Sequence, residues 1–424
     1  MKKSIRFRAR VLARASAPVL SVLSLAVASS VYANDSEISA VVVTATRFES
    51  SPQNNPIATQ VITAEEILES SAITVAEVLG KLGGVHTRSS FTGIPDASLD
   101  LRGFGMTGDQ NTLVLVNGQR LSENEGIAAR LSSIPLNSIE RIEIMRGSGS
   151  VLYGSGASSG TINIITRTAI ENDLAGTASV MTGSHNLQDS RASIQSQKDQ
   201  LGISLSGQKY KTDNYRYGNR ADLETMSGEL RYGDKKEFIA LNFGADNQKS
   251  QLPGVRKVNL VTGVNQFLND PRGITTPNDY LDSKTNFVSI AGEKKQGDLT
   301  LALDLGKRNK TRRSFGSYED NSGTSLADTR TEVVTVSPRL LWSTHLSQLK
   351  NLLTVGADWS DWSFDNSTVG TGSQDTLIEK GTQNNQAMYF RDEIIYADKT
   401  RLSLGARSER VKQDNRYVGR WPWS

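Results

Sequence analysis

The sequence contains no cysteine and only three histidines among its 424 residues. Without thiols there can be no disulfide bridge, no thiolate catalysis and no zinc site built on cysteine. The histidines, His86, His185 and His345, are far apart in the sequence, and none has a second one at metal-ligand spacing. We therefore predict no metal site, no catalytic residue and no cofactor, and an enzyme is disfavoured.

Long apolar runs are also missing. No run reaches the roughly 18 residues of a transmembrane helix, and 37% of residues are hydrophobic against 22% charged. A helical membrane protein is therefore excluded. A transmembrane β-barrel is not, because barrel strands alternate in polarity and dilute their hydrophobicity.

The first 33 residues have the pattern of a secretion signal. A basic start is followed by an apolar core, Val19–Val27, and by a small-residue cleavage site at 31–33. All six charged residues of this segment are basic, so its removal leaves 42 basic and 45 acidic residues. The small basic excess of the whole chain therefore gives no support for nucleic-acid binding.

A β-branched run, AVVVTA at 40–45, follows within the predicted periplasmic segment 34–50. Its periodicity fits an ordinary first strand. It fits equally well an exposed peptide that adds as a strand to the sheet edge of a partner protein.

Residues 51–168 carry the signals of a mixed α+β unit. Thr63 and Thr74 are predicted to cap two short helices, each with a glutamate three residues later. The segments 99–105 and 113–120 are predicted to form a strand pair. The stretch 134–167 has two β-rich ends around a glycine-rich bend, which predicts a strand, a tight loop and a strand. A nucleotide-binding loop is disfavoured there, because a second glycine cluster and a strand follow instead of a helix.

The remaining residues, 175–424, alternate between apolar and small or polar residues, as in Leu299–Leu305. A soluble β-sandwich would give the same alternation in any one strand. Short connectors, however, alternate with long polar ones, predicted at 212–224, 247–284, 309–330 and 362–385. Short turns at one rim and long loops at the other are typical of outer-membrane barrels. Aromatic residues at strand ends fit an interfacial girdle: Tyr232, Trp342, Trp359 and Tyr396.

Several motifs occur together and in one order: VVVTA, QVIT, VAEVL, LRGFG, VLVNG, IERIE followed by RG, LYG and INIIT. In this respect the chain resembles the TonB-dependent outer-membrane receptors. The resemblance implies an α+β plug domain followed by an antiparallel transmembrane β-barrel of the type with about 22 strands. About eleven strands are counted here, so we expect the N-terminal half of a barrel, from a truncated or frameshifted reading frame.

The resemblance also implies a function. We expect a receptor in the outer membrane of a Gram-negative bacterium that imports a scarce solute, with a ferric siderophore as the first candidate. Cobalamin or heme receptors and a non-functional truncated receptor remain alternatives, and a passive porin or an outer-membrane enzyme would be the alternatives of another class. The expected partners are TonB with its inner-membrane energising complex, a small-molecule metal chelate, and outer-membrane lipid or lipopolysaccharide.

The resemblance assigns roles to three sets of residues. The TonB box, which would bind TonB, is Val41, Val42, Val43, Thr44 and Ala45. Contacts with the solute are predicted at the plug apex and on loops, at Arg88, Phe91, Arg120, Tyr215, Tyr217, Tyr280, Phe315 and Tyr318. Charge pairing between plug and barrel is predicted for Arg102, Arg141, Glu143 and Arg146.

Overall fold

The computed structural model describes nine ranges of the chain: 46–48, 59–90, 93–122, 128–168, 174–234, 236–318, 322–372, 376–397 and 400–420. The predicted signal and TonB box lie outside these residues, as does Phe91. No helix within the described ranges is long and apolar enough to cross a membrane.

Residues 59–168, which we call the N-terminal unit, are built around a five-stranded sheet. Its strands are β1 (Thr59–Thr63), β4 (Thr112–Val116), β5 (Gln119–Arg120), β6 (Ile139–Arg146) and β7 (Gly160–Thr166). Their order is β1-β6-β7-β4-β5, with β4 and β7 parallel and the other pairs antiparallel. Isoleucines on the two central strands are fully buried and form the centre of the core: Ile142, Ile144, Ile162 and Ile164.

Two short helices cover this sheet and begin where the sequence predicts. Helix α1 (Ala64–Glu69) has the reciprocal capping box between Thr63 and Glu66. Helix α2 (Val75–Lys81) begins with the Thr74 hydroxyl accepting from the Glu77 N–H at 3.1 Å. Both predicted caps are confirmed. Each hydroxyl accepts from a backbone N–H that has no partner within the first helical turn.

The strand pair predicted from 99–105 and 113–120 is wrong. β3 (Ala97–Asp100) pairs instead with β2 (His86–Ser89). The physical reason lies at Asp100, whose carboxylate accepts four backbone N–H groups, those of residues 102 to 105, at 2.7–3.0 Å. This turn ends β3, and the chain reaches β4 through helix α3 (Gly108–Asn111). The glycine-rich bend contains a further helical turn, α4 (Ser150–Tyr153), between β6 and β7.

The second part of the structure is an antiparallel sheet of eleven strands, each paired with its neighbours in sequence. We call it the large sheet. Its strand number agrees with the prediction. The strands are β8 (Ala175–Gly183), β9 (Leu187–Lys198), β10 (Leu201–Thr212), β11 (Ala221–Gly233), β12 (Phe238–Gln251), β13 (Tyr280–Gln296), β14 (Leu299–Ser317), β15 (Gly323–Leu346), β16 (Leu349–Gly372), β17 (Thr376–Tyr396) and β18 (Thr400–Arg420).

One face of the large sheet contacts the N-terminal unit and the other carries the apolar side chains. On β12, Asp246 binds the N-terminal unit, whereas Ile239 and Leu241 on the other face are exposed. On β14, Arg308 binds the N-terminal unit while Leu301 lies exposed on the opposite face. The alternation predicted from sequence is therefore confirmed, since successive side chains of a strand point to opposite faces.

The connections differ from the prediction at two places. The predicted loops 309–330 and 362–385 are mostly strand, because β14 continues to Ser317 and β16 continues to Gly372. These stretches are rich in serine, threonine and asparagine. Such residues form the backbone hydrogen bonds of a β-ladder as well as apolar residues do, so polarity alone does not indicate a loop. Long connections remain at 213–220 and 252–279, the latter with helix α5 (Gln266–Asn269).

The ladder between β15 and β16 is interrupted once. Pairing passes from Val336 with Trp359 directly to Arg339 with Gly356. Pro338 lies in the gap, and a proline has no N–H to donate to a neighbouring strand.

Candidate functional site

The segment Thr46–Phe48 follows directly on the predicted TonB box. It binds the face of the large sheet that contacts the N-terminal unit, which we call the inner face. The Arg47 guanidinium donates to the Asp358 carboxylate on β16, from Nη1 to Oδ1 at 2.8 Å and from Nη2 to Oδ2 at 3.4 Å. Nη1 also donates to the phenol oxygen of Tyr389 on β17 at 2.9 Å. We call Arg47 with Asp358, Tyr389 and Tyr153 the Arg47 clamp.

Two aromatic rings complete the clamp. The guanidinium carbon of Arg47 lies 4.6 Å from the ring centre of Tyr153 and 4.9 Å from that of Tyr389, within the range of cation–π attraction. Tyr153 belongs to helix α4, and it packs in one apolar cluster with Leu113, Leu115 and Tyr389. The glycine-rich bend therefore holds a ring against Arg47, in addition to allowing the close packing expected from its glycines.

Asp358 is shared by several parts of the chain. It also accepts from the Ser337 hydroxyl at 2.9 Å and from Nη1 of Arg407 at 2.7 Å. Arg407 in turn pairs with Glu409 at 3.0 Å. The Arg47 carbonyl accepts from Nε of Arg339 at 3.1 Å. Asp358 is half-buried, and a carboxylate largely removed from water is stable only with such partners, because leaving water costs an unpaired ion several kcal/mol.

A second buried ion pair connects the N-terminal unit to the large sheet. Arg130 binds Asp246 on β12 through Nη2, and its Nη1 donates to the hydroxyls of Ser283 at 2.6 Å and Thr285 at 2.9 Å. Asp246 is buried and Arg130 is half-buried, with 4% and 12% of their side chains exposed. The N-terminal unit is thus held by separate contacts with β12–β13 and with β16–β17.

The loops at the opposite end of the large sheet touch the N-terminal unit and each other. Asn214 donates to the carbonyl of Gly93 at 3.2 Å. Arg216 donates to three carbonyls of the 252–279 loop, those of Pro253, Gly254 and Gly273, at 2.5–3.2 Å. The two long loops are therefore fastened together, and the first of them also contacts the N-terminal unit.

The predicted solute-contact residues fall into separate places. Tyr215 and Tyr217 lie together, with the Arg272 guanidinium 5.6 Å and 4.3 Å from their ring centres. Arg88 is exposed on β2 and donates to the Met106 sulfur at 3.1 Å. Tyr318, 48% exposed, follows directly on the end of β14.

Tyr280 and Phe315 form a cross-strand pair whose rings stack with centres 6.2 Å apart. Ser283 and Thr285, which bind Arg130, have the opposite parity on β13. The stacked pair therefore lies on the face of the large sheet that points away from the N-terminal unit. Its contact with a solute stays a prediction, and this placement counts against it.

The residues predicted for charge pairing make contacts inside the N-terminal unit. Arg141 binds Glu140 at 2.8 Å and the fully buried Glu143 at 2.9 Å. Arg146 binds the Gly83 carbonyl and the Gln60 side chain. Arg102 is exposed. Pairing of this set with the large sheet stays a prediction.

Sequence reasoning missed the two ion pairs Arg47 with Asp358 and Arg130 with Asp246, which attach the segment 46–48 and the N-terminal unit to the large sheet. Arg47 is visible as the one charged residue that ends the run VVVTATR, but its partner is 311 residues away. Alternation identifies Asp358 and Asp246 as inward-facing carboxylates on otherwise polar faces. It cannot identify which arginine each one binds.

Comparison with known proteins gives three findings. Residues 51–161 match the model of the TonB-dependent receptor plug domain family. A protein named vitamin B12 transporter BtuB from Vibrio vulnificus strain CMCP6 is 29% identical over 402 residues, covering 91% of this chain and 60% of the relative. One of the same name from Photobacterium profundum is 42% identical over 134 residues, covering 32% of this chain and 22% of the relative.

Solved structures agree in fold. The unliganded ferric citrate transporter FecA superposes with a TM-score of 0.74 at 16% identity, covering 87% of this chain and 59% of that one. The pyoverdine receptor FpvA from Pseudomonas aeruginosa PAO1 gives 0.73 at 15% identity, covering 92% and 62%. The chain spans less than two thirds of the length of these relatives.

The N-terminal unit thus corresponds to a plug domain, and the large sheet corresponds to part of a receptor barrel. The chain belongs to the TonB-dependent receptor family.

Proposed function

We propose that this chain forms the plug and part of the barrel of an outer-membrane receptor, which imports a scarce solute with energy delivered by TonB. The observation that carries the proposal is the Arg47 clamp, which lies two residues beyond the predicted TonB box, Val41 to Ala45. A pull on the box must act first on Arg47. The clamp is a non-covalent attachment of the segment after the box to the inner face of the barrel, with Tyr153 of the plug packed against it.

The mechanism follows from the distribution of contacts. A solute that arrives over the loops 213–220 and 252–279 meets the N-terminal unit near Gly93. Asn214 of the first loop donates a hydrogen bond to the Gly93 carbonyl. The box adds as a strand to a sheet edge of TonB, because a β-branched peptide can pair its backbone with that edge and place alternate side chains against it. Work done through the box breaks the Arg47 clamp, and the plug then moves from the sheet.

A corrinoid is the solute class best supported. The curated relatives of 29–42% identity described above are named as vitamin B12 transporters. The receptors whose names include ferric chelates or pyoverdine are 13–16% identical, which supports the fold alone. A ferric siderophore, the first candidate from the sequence, is the second candidate here.

The proposal is tested by uptake of radiolabelled cyanocobalamin into cells that express the receptor, beside a panel of labelled ferric siderophores. Val42→Pro should abolish energised uptake and leave binding to the cell surface intact, because proline removes a ladder donor and disfavours β-pairing. Val42→Ala, which keeps the N–H, is the matched control and should retain uptake. Uptake by the proline variant at the normal rate would contradict the box assignment. A receptor that accumulates none of these solutes, with or without a proton uncoupler, would contradict the transport proposal.

A further inference from the structure

A cavity of about 140 Å³ lies between the N-terminal unit and the inner face of β14–β18. This is roughly ten times the volume that one buried water needs. Its lining contains five arginines and three carboxylates, which leaves two positive charges in excess. The eight residues are Arg47, Arg120, Arg308, Arg339, Arg407, Asp304, Asp358 and Glu409.

The three carboxylates are already engaged by three of the arginines. Asp304 pairs with Arg339, and Asp358 and Glu409 pair with Arg47 and Arg407. These pairs belong to the clamp and its surroundings, so they offer little to a ligand.

The other two arginines, Arg120 on β5 and Arg308 on β14, have no carboxylate within ion-pair distance in the part of the chain that the structure describes. Arg120 donates to the Ser155 carbonyl. Arg308 donates to the carbonyls of Arg120 at 2.9 Å and Leu121 at 3.2 Å. Each guanidinium has five N–H donors, and carbonyls carry no net charge, so both arginines keep donors and charge to spare.

The electrostatics of Arg120 point the same way. Burial lowers its pKa to about 10; the positive charges of Arg407 and Arg308 act in the same direction, and Glu409 and Asp358 act against it. An arginine in this state is stabilised by any anion that reaches it, because the opposite charge favours the protonated form.

Trp362 on β16 supplies an independent observation. Its side chain lines the same cavity and only 7% of the residue is exposed. Its indole N–H has no hydrogen-bond acceptor among the described residues. A buried donor without an acceptor costs about 1–3 kcal/mol, and an acceptor-only ligand in the cavity would remove that cost.

We propose that this cavity is an oxyanion site, in which Arg120, Arg308 and the Trp362 indole bind a phosphate or carboxylate group. Planar guanidinium forks match the two oxygens of such a group, and charge-assisted bonds are the strongest that these side chains make. Arg120, Arg308 and Trp362 can only donate hydrogen bonds. This set of donors selects an anion over a cation or over a neutral group with few acceptors. The anion would lie near Arg407, which also lines the cavity and binds Asp358 of the Arg47 clamp.

The direct test is isothermal titration of the full chain, purified in detergent, with inorganic phosphate. We expect saturable binding that weakens about tenfold or more in Arg120→Gln, because a charge-assisted contact is lost. Trp362→Phe replaces the indole by a smaller aromatic ring that can still stack on Phe364, so it should fold and weaken binding by about threefold to tenfold through loss of one hydrogen bond. Arg102→Gln, which removes an exposed arginine outside the cavity, is the matched control and should bind phosphate as the parent does.

Absence of saturable binding, or equal loss in Arg102→Gln, would overturn the proposal. So would unchanged affinity in both cavity variants. If Arg120→Gln does not fold, Trp362→Phe alone decides, since normal affinity in that variant contradicts the assigned geometry.

A second measurement separates a free inorganic anion from an anionic group on the transported solute, and only this one rests on the proposed function. Cyanocobalamin carries a phosphodiester and dicyanocobinamide does not. Competition with phosphate by cyanocobalamin alone would place the solute's phosphodiester in the site. Competition by neither would assign the site to the free anion, and competition by both equally would contradict binding of the phosphodiester in the site. Failure of cobalamin transport would leave the phosphate result unchanged.

Discussion

Replacing Arg47 with alanine should release the segment that follows the predicted box without unfolding the rest of the protein. The variant loses two hydrogen bonds to Asp358, one to Tyr389, and the contact with two rings. Asp358 keeps Arg407 and Ser337, so it is not left without partners. Removing one partner of a buried ion pair costs about 3–5 kcal/mol, and because Asp358 remains satisfied we expect about 3 kcal/mol here.

That free energy sets the size of the effect to be measured. About 3 kcal/mol shifts the equilibrium between the clamped and released segment by roughly 100-fold. Phe48 is 3% exposed in the clamped form. The natural chain has no cysteine, so Phe48→Cys introduces a single thiol whose alkylation by a maleimide reports release.

The alkylation rate of Phe48→Cys should therefore rise by roughly 100-fold when Arg47→Ala is added. Arg47→Lys, which keeps the charge and loses the fork that binds both carboxylate oxygens, should give an intermediate rate. Arg102→Ala in the same background is the control and should not change it. A rate that stays the same in Arg47→Ala would refute the clamp as the attachment of this segment.

Three further outcomes are expected. Arg130→Ala leaves the buried Asp246 without its main partner and should lower the free energy of unfolding by about 3–5 kcal/mol, measured by chemical denaturation, whereas the exposed Arg102→Ala should change it little. Gly83→Ala should destabilise by about 1–3 kcal/mol, because a Cβ there would lie 2.6 Å from Ile144 Cδ1 and 2.7 Å from the Leu79 carbonyl oxygen; a thermal midpoint equal to that of the parent would contradict this packing. At Asp100, burial opposes the charged form, but four backbone N–H donors outweigh it and hold the pKa below the usual 3.8. The ionised carboxylate therefore stabilises the fold above pH 3.8. This contribution is lost as the pH falls through the lower pKa of the folded state. Asp100→Asn should remove that acid-dependent part of the unfolding free energy, and an unchanged acid dependence would contradict the four-donor turn.

Local signals in the sequence predicted the features that depend on neighbouring residues. The hydroxyl caps at Thr63 and Thr74 needed only a glutamate three positions later. The parity of Leu299–Leu305 predicted which face of β14 is apolar, since it depends only on the pleat of one strand.

Features that depend on distant parts of the chain could not be predicted in the same way. The partner of Arg47 is set by the register of β16 against β15 and β17 and by where the plug lies on that face. The extent of β14 and β16 was underestimated, because polar residues continue a ladder as readily as apolar ones. The pairing of β3 depended on a carboxylate whose side chain ends the strand.

Strand β1 lies at one edge of the five-stranded sheet and is the first strand that the structure describes after the segment held by Arg47. Within the described ranges β1 is joined to the sheet only through β6, over five residue pairs from Thr59 with Met145 to Thr63 with Arg141. Mechanical force applied from the N-terminal side, once the clamp has opened, would load this edge strand before any other. An edge strand can peel away pair by pair at low force, while β6, β7 and β4 keep the buried isoleucine centre intact, so the plug is built to yield in part before it yields as a whole.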